Sequence, residues 1–186
     1  MKFECSFTVK APIEKVYAFF GDNEESHALF PEFRSRTILS GDGKLSVGTT
    51  VKLTQVIRGR TIEQICETLE VIPFTKIVMR IKDKNSENLS TLTFSKNNQW
   101  TFINWIAEFR FLTLLYRVLQ HSLGRQLKGK LRERIGRIRS HIEGRVNSEK
   151  IEIKVTLAGM SLEAASFLTW LGLVALFTVA FQLLGV

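Results

Sequence analysis

From Ala164 to Val186 the chain carries neither a charged side chain nor a proline. The hydrocarbon core of a bilayer demands a helix of about 20 apolar residues, and this stretch is long enough to span one. Its apolar positions, among them Phe167, Leu168, Trp170, Leu171, Val174, Phe177, Phe181 and Leu184, run right round a helix. A helix on a protein surface keeps a polar stripe instead. A helix enclosed on every side by its own domain is the competing reading, and a domain this small rarely encloses one. Met1–Lys10 lacks the unbroken apolar stretch of a signal peptide, and Arg145, Lys150 and Lys154 flank the near side of the span. The expectation is a single-pass tail anchor with the soluble domain facing the cytosol.

The residues before it suffice for one folded unit with a sizeable core, here 1–144, followed by a linker at 145–163. Cys5 and Cys66 form no CxxC and no Cys/His cluster, so they imply neither a disulfide scaffold nor a metal, and no cofactor motif accompanies them. The net charge of +8 is unevenly placed: residues 110–145 carry 10 basic and 2 acidic side chains, which accounts for all of it. Near an anionic membrane surface each Lys or Arg is worth about 1 kcal/mol. Arg125, Lys128, Lys130, Arg132, Arg134, Arg137 and Arg139 are therefore candidate membrane-surface residues, weighed against a plain solvated face. Nucleic acid is disfavoured as a partner because no aromatic residues interleave the charge.

Phe3, Cys5, Phe7 and Val9 alternate with polar residues, the period of a half-buried strand. Pro12 then suits the first turn of a helix through Ile13, Val16, Tyr17, Phe19 and Phe20, stopped at Gly21-Asp22. A second short helix is expected over Glu24–Phe30. Six further strands follow, at Arg34–Ser40, Gly48–Ile57, Thr61–Ile72, Lys76–Asp83, Leu89–Ser95 and Trp100–Phe109, separated by turn chemistry such as Gly41-Asp42-Gly43, Lys84 to Asn88 and Asn97-Asn98. Short connections make these six an antiparallel meander. After Arg110 the period changes, and Leu112, Leu115, Leu119, Leu123, Leu127, Leu131, Ile135, Ile138 and Ile142 mark one long amphipathic helix. Gly124, Gly129 and Gly136 are places where it is expected to bend or break. Ile151–Leu157 alternates as a strand does, with no partner evident from the sequence.

The residues Ala11-Pro12 with Glu14, Val16 and Tyr17, the Leu29-Phe30-Pro31 turn, Gly48-Thr49, and Glu70 with Pro73 resemble those of the START-like (SRPBCC) superfamily, the group of polyketide cyclases/dehydrases and lipid-transfer proteins. The resemblance covers residues 1–143. It implies an α+β helix-grip fold, a curved antiparallel seven-stranded sheet around a long C-terminal helix, with an apolar cavity between them. The basic second half of that helix and the following apolar segment depart from a generic small member.

No set of residues forms a catalytic constellation. His27, His121 and His141 neighbour no nucleophile motif. Gly41-Asp42-Gly43-Lys44 lacks the spacing of a phosphate loop and reads as a hairpin turn. Glu67 and Glu108 would be proton donors or head-group ligands only if their strands point them inward, where burial raises a carboxyl pKa. Strand alternation places Phe20, Leu29, Phe30, Phe33, Val51, Leu53, Ile77, Met79, Ile81, Leu92, Phe94, Trp105, Leu112, Leu115, Tyr116 and Leu119 as candidate cavity residues, with plain core packing as the alternative for each. Trp100, Trp105 and Tyr116 add polar tips able to orient a ligand. The functional expectation is a membrane-tethered module that binds or transfers a lipid, isoprenoid or quinone-like ligand. Two alternatives stand beside it: an aromatase/cyclase-type enzyme using the same cavity, and a tail-anchored interaction subunit with a membrane-protein partner.

Overall fold

The computed structural model describes residues 1–21, 29–57, 59–112, 120–144, 152–157 and 160–161. Nine strands lie within these residues: β1 (Lys2–Val9), β2 (Phe33–Ser40), β3 (Thr50–Ile57), β4 (Arg60–Ile72), β5 (Lys76–Lys82), β6 (Ser86–Asn97), β7 (Trp100–Phe111), β8 (Glu152–Leu157) and β9 (Met160–Ser161). They form one antiparallel sheet in the order β2-β3-β4-β5-β6-β7-β1-β8-β9. Two helices accompany them, α1 (Ile13–Gly21) and α2 (Gln120–Glu143).

Alternation decides which face of the sheet is the inner one. Phe3, Cys5, Phe7 and Val9 of β1 are buried, and Cys5 and Phe7 stand opposite Trp105 and Ile103 of β7. Pro12 opens α1, its carbonyl accepting from the Val16 amide at 3.1 Å, so the helix turns Ile13, Val16 and Phe19 onto the sheet. The buried Thr101 hydroxyl donates to the Ala11 carbonyl at 2.8 Å and pins the strand-to-helix turn. From α2, Ile135, Ile138 and Ile142 complete the same core. At the end of α2, the Glu143 carboxylate accepts from the Lys10 amide at 2.8 Å, and Lys15 Nζ donates to the Ile142 carbonyl at 2.7 Å.

Helix α2 begins at Gln120 rather than just after Arg110, because β7 continues to Phe111 opposite Ser86. Leu112, expected to open the helix, instead donates its amide to the Asn85 carbonyl at 2.8 Å. The turn expected at 84–88 contracts accordingly. One Asp83 oxygen accepts from the amides of Asn85 and Ser86 and the other from the Ser86 hydroxyl, which closes the hairpin early and lets β6 start at Ser86. Over its 24 residues, about 36 Å, α2 runs without a break through Gly124, Gly129 and Gly136.

Residues 24–28 of the expected second helix lie outside the described residues, and Leu29-Phe30 form the turn before β2, where the Phe33 amide donates to the Phe30 carbonyl at 3.0 Å. The segment expected to be a linker contributes two strands. β8 pairs with β1, Phe3 opposite Val155 and Cys5 opposite Ile153, and β9 pairs with β8, Leu157 opposite Met160. The free edge of β1 is thereby covered, which removes a template for pairing with other chains. The expected anchor at 164–186 lies outside the described residues, and among the described residues no helix is long and apolar enough to cross a membrane.

Candidate ligand-binding face

The two halves of the inner face are filled differently. Over β1, β6 and β7 the helices close on a continuous core of Phe3, Phe7, Val9, Leu92, Phe94 and Ile103. Over β2, β3 and β4 the buried apolar cluster shrinks to Val51, Leu53 and Cys66, with Phe33, Met79 and Ile81 packed on it but still partly exposed. These belong to one face, because paired residues on antiparallel strands point the same way: Val51 is opposite Cys66, Cys66 opposite Ile81. Apolar side chains that point inward and yet remain open to solvent mark space that the described chain does not fill.

Of the residues expected to line a cavity, Ile77, Leu92 and Phe94 are closed within the larger core, with Phe20, Leu29, Phe30, Met79 and Trp105 packed against it. Val51, Leu53, Phe33 and Ile81 line the emptier half. Leu112 does not belong: it is 48 % exposed, since the chain at that point is still leaving β7. Leu115, Tyr116, Leu119 and His27 lie outside the described residues. Trp105 faces inward and its indole Nε1 donates to the Ser90 hydroxyl at 2.8 Å. Trp100 has the opposite parity and lies outside, 47 % exposed, with Lys10 Nζ 5.3 Å from its ring centroid.

Sequence reasoning missed the polar groups of this face. Gln55, 8 % exposed, donates to the side-chain carbonyl of Gln64 at 3.1 Å. Arg36 stands opposite Leu53, and Leu53 opposite Gln64. Thr68 and Ser90 are buried, and Asn88, opposite Ile81, has a buried Oδ1 without a hydrogen-bond partner among the described residues. For Gln55 and Gln64 the signal was present, two residues from Leu53 and Cys66 in strands read correctly.

Glu67 and Glu108 share one outward row, Glu67–Arg80–Leu89–Glu108–Lys2. Glu67 pairs with Arg80 at 3.2 Å and Glu108 lies 3.9 Å from Lys2, so neither carboxylate reaches the cavity. Burial pushes the Cys66 thiol up to about 11, against the opposing pull of the Arg36 charge. Burial and the Glu4 charge push Cys5 up to about 12. Both are therefore protonated at neutral pH, and neither is an activated nucleophile. Among the described residues no group of His, Cys, Asp and Glu is placed to hold a metal ion.

The basic residues of α2 do not share one solvated face. Lys130 and Arg132 are exposed and Lys128 half-buried. Arg134 lies 4.6 Å from the Phe30 ring centroid, and burial lowers its pKa while the nearby Glu32 charge opposes the change. Arg137 pairs with Glu133 at 2.6 Å. Arg139 is 3 % exposed and 3.8 Å from the Glu143 carboxylate, because it sits four residues after Ile135 and so on the stripe that packs inward. Arg139 is thus a core residue and not a membrane-surface one. Arg125 and His121 belong to α2, at positions whose side chains lie outside the description. His141 is exposed beside Phe19 and borders an open groove of about 530 Å³ with Leu29, Arg137 and Ser140.

A profile described as polyketide cyclase/dehydrase and lipid transport matches residues 1–143. Among solved structures, the chain is similar to Ara h 8.0201 (19 % identity, TM-score 0.62, covering 77 % of this chain and 98 % of that one). It is also similar to a conserved protein from Geobacillus kaustophilus (13 % identity, TM-score 0.65, covering 82 % and 99 %). A protein from Arthrobacter aurescens matches at 12 % identity and TM-score 0.61, covering 80 % and 90 %. At these identities the structures establish a common fold. No curated protein matches the sequence.

Proposed function

Since the chain belongs to the polyketide cyclase/dehydrase and lipid transport family, we propose that it binds a hydrophobic small molecule or lipid on the inner face of β2–β5 and carries that ligand at a membrane surface. The observation that carries this reading is the partial exposure of Phe33, Met79 and Ile81 on the face where Val51, Leu53 and Cys66 are buried. An apolar surface left open inside a domain costs free energy that a bound apolar ligand recovers, about 25 cal/mol for each Å² covered. Pockets of this kind are largely apolar with a few polar groups that fix orientation, and Gln55, Gln64, Ser90 and Asn88 are such groups.

The tether in this proposal is Ala164–Val186, an uncharged segment of spanning length, with Arg145, Lys150 and Lys154 holding the domain on the cytosolic side. Exposed Lys130 and Arg132 on α2 add attraction to anionic lipid. Binding and transfer fit better than catalysis: Glu67 and Glu108 are both paired on the outer face, away from the site.

The test is native mass spectrometry of the full chain released from detergent micelles, followed by organic extraction. A retained lipid, quinone or terpenoid is the expected result. A clean apo mass that gains nothing on incubation with membrane extracts would overturn the proposal.

A further inference from the structure

Arg36 is a cation on an apolar face. Its cross-strand partner Leu53 is 3 % exposed, and the next residue along that row is Gln64. The guanidinium donates from Nη2 to the Gly43 carbonyl, while its Nε is buried and has no hydrogen-bond partner among the described residues. Arg36 has no ion pair among the described residues: Asp42, next to Gly43 in the turn, accepts from the Lys44 amide at 3.0 Å, while Glu63 pairs with Lys52 at 3.3 Å, Glu67 with Arg80 at 3.2 Å and Glu70 with Lys76 at 2.8 Å. An arginine cannot relieve its position by losing a proton, and a buried N–H without an acceptor is costly. Further along the same row, past Leu53, the Gln64 side-chain oxygen accepts from Gln55, which leaves the Gln64 NH2 group as a donor on this face among the described residues.

We infer that Arg36 binds the anionic head group of an amphiphile, a carboxylate or a phosphate, whose chain lies over Leu53, Cys66 and Ile81. This rests on the cavity reading proposed above and names the chemistry of its ligand. A guanidinium offers several N–H donors in a plane that matches the oxygens of either group, and a charged hydrogen bond in a partly dry site is worth more than a neutral one. The register sets the orientation: the head group lies toward the β2–β3 edge of the sheet and the chain runs inward toward β5.

The experiment uses the full chain in phosphatidylcholine nanodiscs, titrated with cis-parinaric acid and with its methyl ester, with binding read as energy transfer from tryptophan. The wild type is expected to bind the acid at least about tenfold more tightly than the ester. Arg36→Gln should weaken the acid by about ten- to a hundredfold and leave the ester unchanged, and Arg36→Lys should restore part of the loss. Displacement by lysophosphatidic acid against oleic acid then separates phosphate from carboxylate. Should Arg36→Gln fail to give the wild-type circular dichroism spectrum, the acid-to-ester ratio of the wild type and of Arg36→Lys decides alone. Acid and ester bound equally, or acid binding indifferent to Arg36, would overturn the head-group assignment and leave the cavity standing. Binding of neither probe would overturn both.

Discussion

The sheet's two halves both turn apolar side chains inward, but they are filled to different degrees. Over β1, β6 and β7 the apolar centre of the inner face is closed by its neighbours: Ile103 is 0 % exposed, Leu92 2 % and Ile135 of α2 0 %. Over β2–β5, Val51, Leu53 and Cys66 are buried but Phe33, Met79 and Ile81 packed on them stay partly uncovered, with an arginine and two glutamines on the same face. The first half is filled by the protein itself and sets its stability. The second half leaves apolar surface open among the described residues, and that surface is where the ligand is assigned.

Large-to-small substitutions should separate the halves most strongly. Ile103→Ala removes a side chain packed on all sides and is expected to cost about 2–5 kcal/mol in urea unfolding. Ile81→Ala should cost less than about 2 kcal/mol, because Ile81 is partly exposed on the open face and the lost contacts are fewer. Equal losses would mean that the two halves are packed alike. Next in size is Trp105→Phe, which leaves the buried Ser90 hydroxyl without its donor and should lower stability by about 1–2 kcal/mol with the fold retained.

The cysteines give a smaller, pH-dependent contrast, one in each half. An unfolded thiol titrates near 8.5, while the fold holds Cys66 at about 11 and Cys5 at about 12. The native state binds these protons more tightly, so their contribution is complete below about pH 8.5 and is lost as pH rises through the folded values. Urea midpoints measured from pH 8 to 11 should therefore fall, and Cys5→Ala and Cys66→Ala should each flatten the slope by a similar amount. Ligand should slow modification of Cys66 by a maleimide and leave Cys5 unchanged. Protection of both cysteines alike would place the ligand elsewhere or show a global effect.

Where local pattern decides structure, the sequence was readable. Alternation located β1 and the six-strand meander, and it put Val51, Leu53, Ile77, Leu92 and Phe94 on the inner face correctly. It failed where the period of two is broken. Register shifts between Phe33 and Ser35 and between Ile38 and Ser40 upset parity counting along β2, which is why Arg36 was not recognised as inward. Asn88 was assigned to a turn because the Asp83 side chain closes the hairpin earlier than composition suggests. Arg139 read as basic surface, although its spacing from Ile135 and Ile142 placed it on the buried stripe. The alternation at Ile151–Leu157 showed a strand, but pairing with β1 depends on contacts some 150 residues away in sequence, which no local pattern encodes.

The most direct test of the central claim is to fill the open half from within. Ile81→Trp places a large apolar side chain where the ligand is assigned, and native mass spectra of wild type and variant can be recorded side by side with urea midpoints for both. The account predicts a hydrophobic adduct on the wild type, none on Ile81→Trp, and midpoints within about 1 kcal/mol of each other, because Ile81 is partly exposed and the added ring occupies existing space. The same adduct on both proteins, or a variant that folds only with a large loss of stability, would show that the β2–β4 face is packed core and contradict the claim.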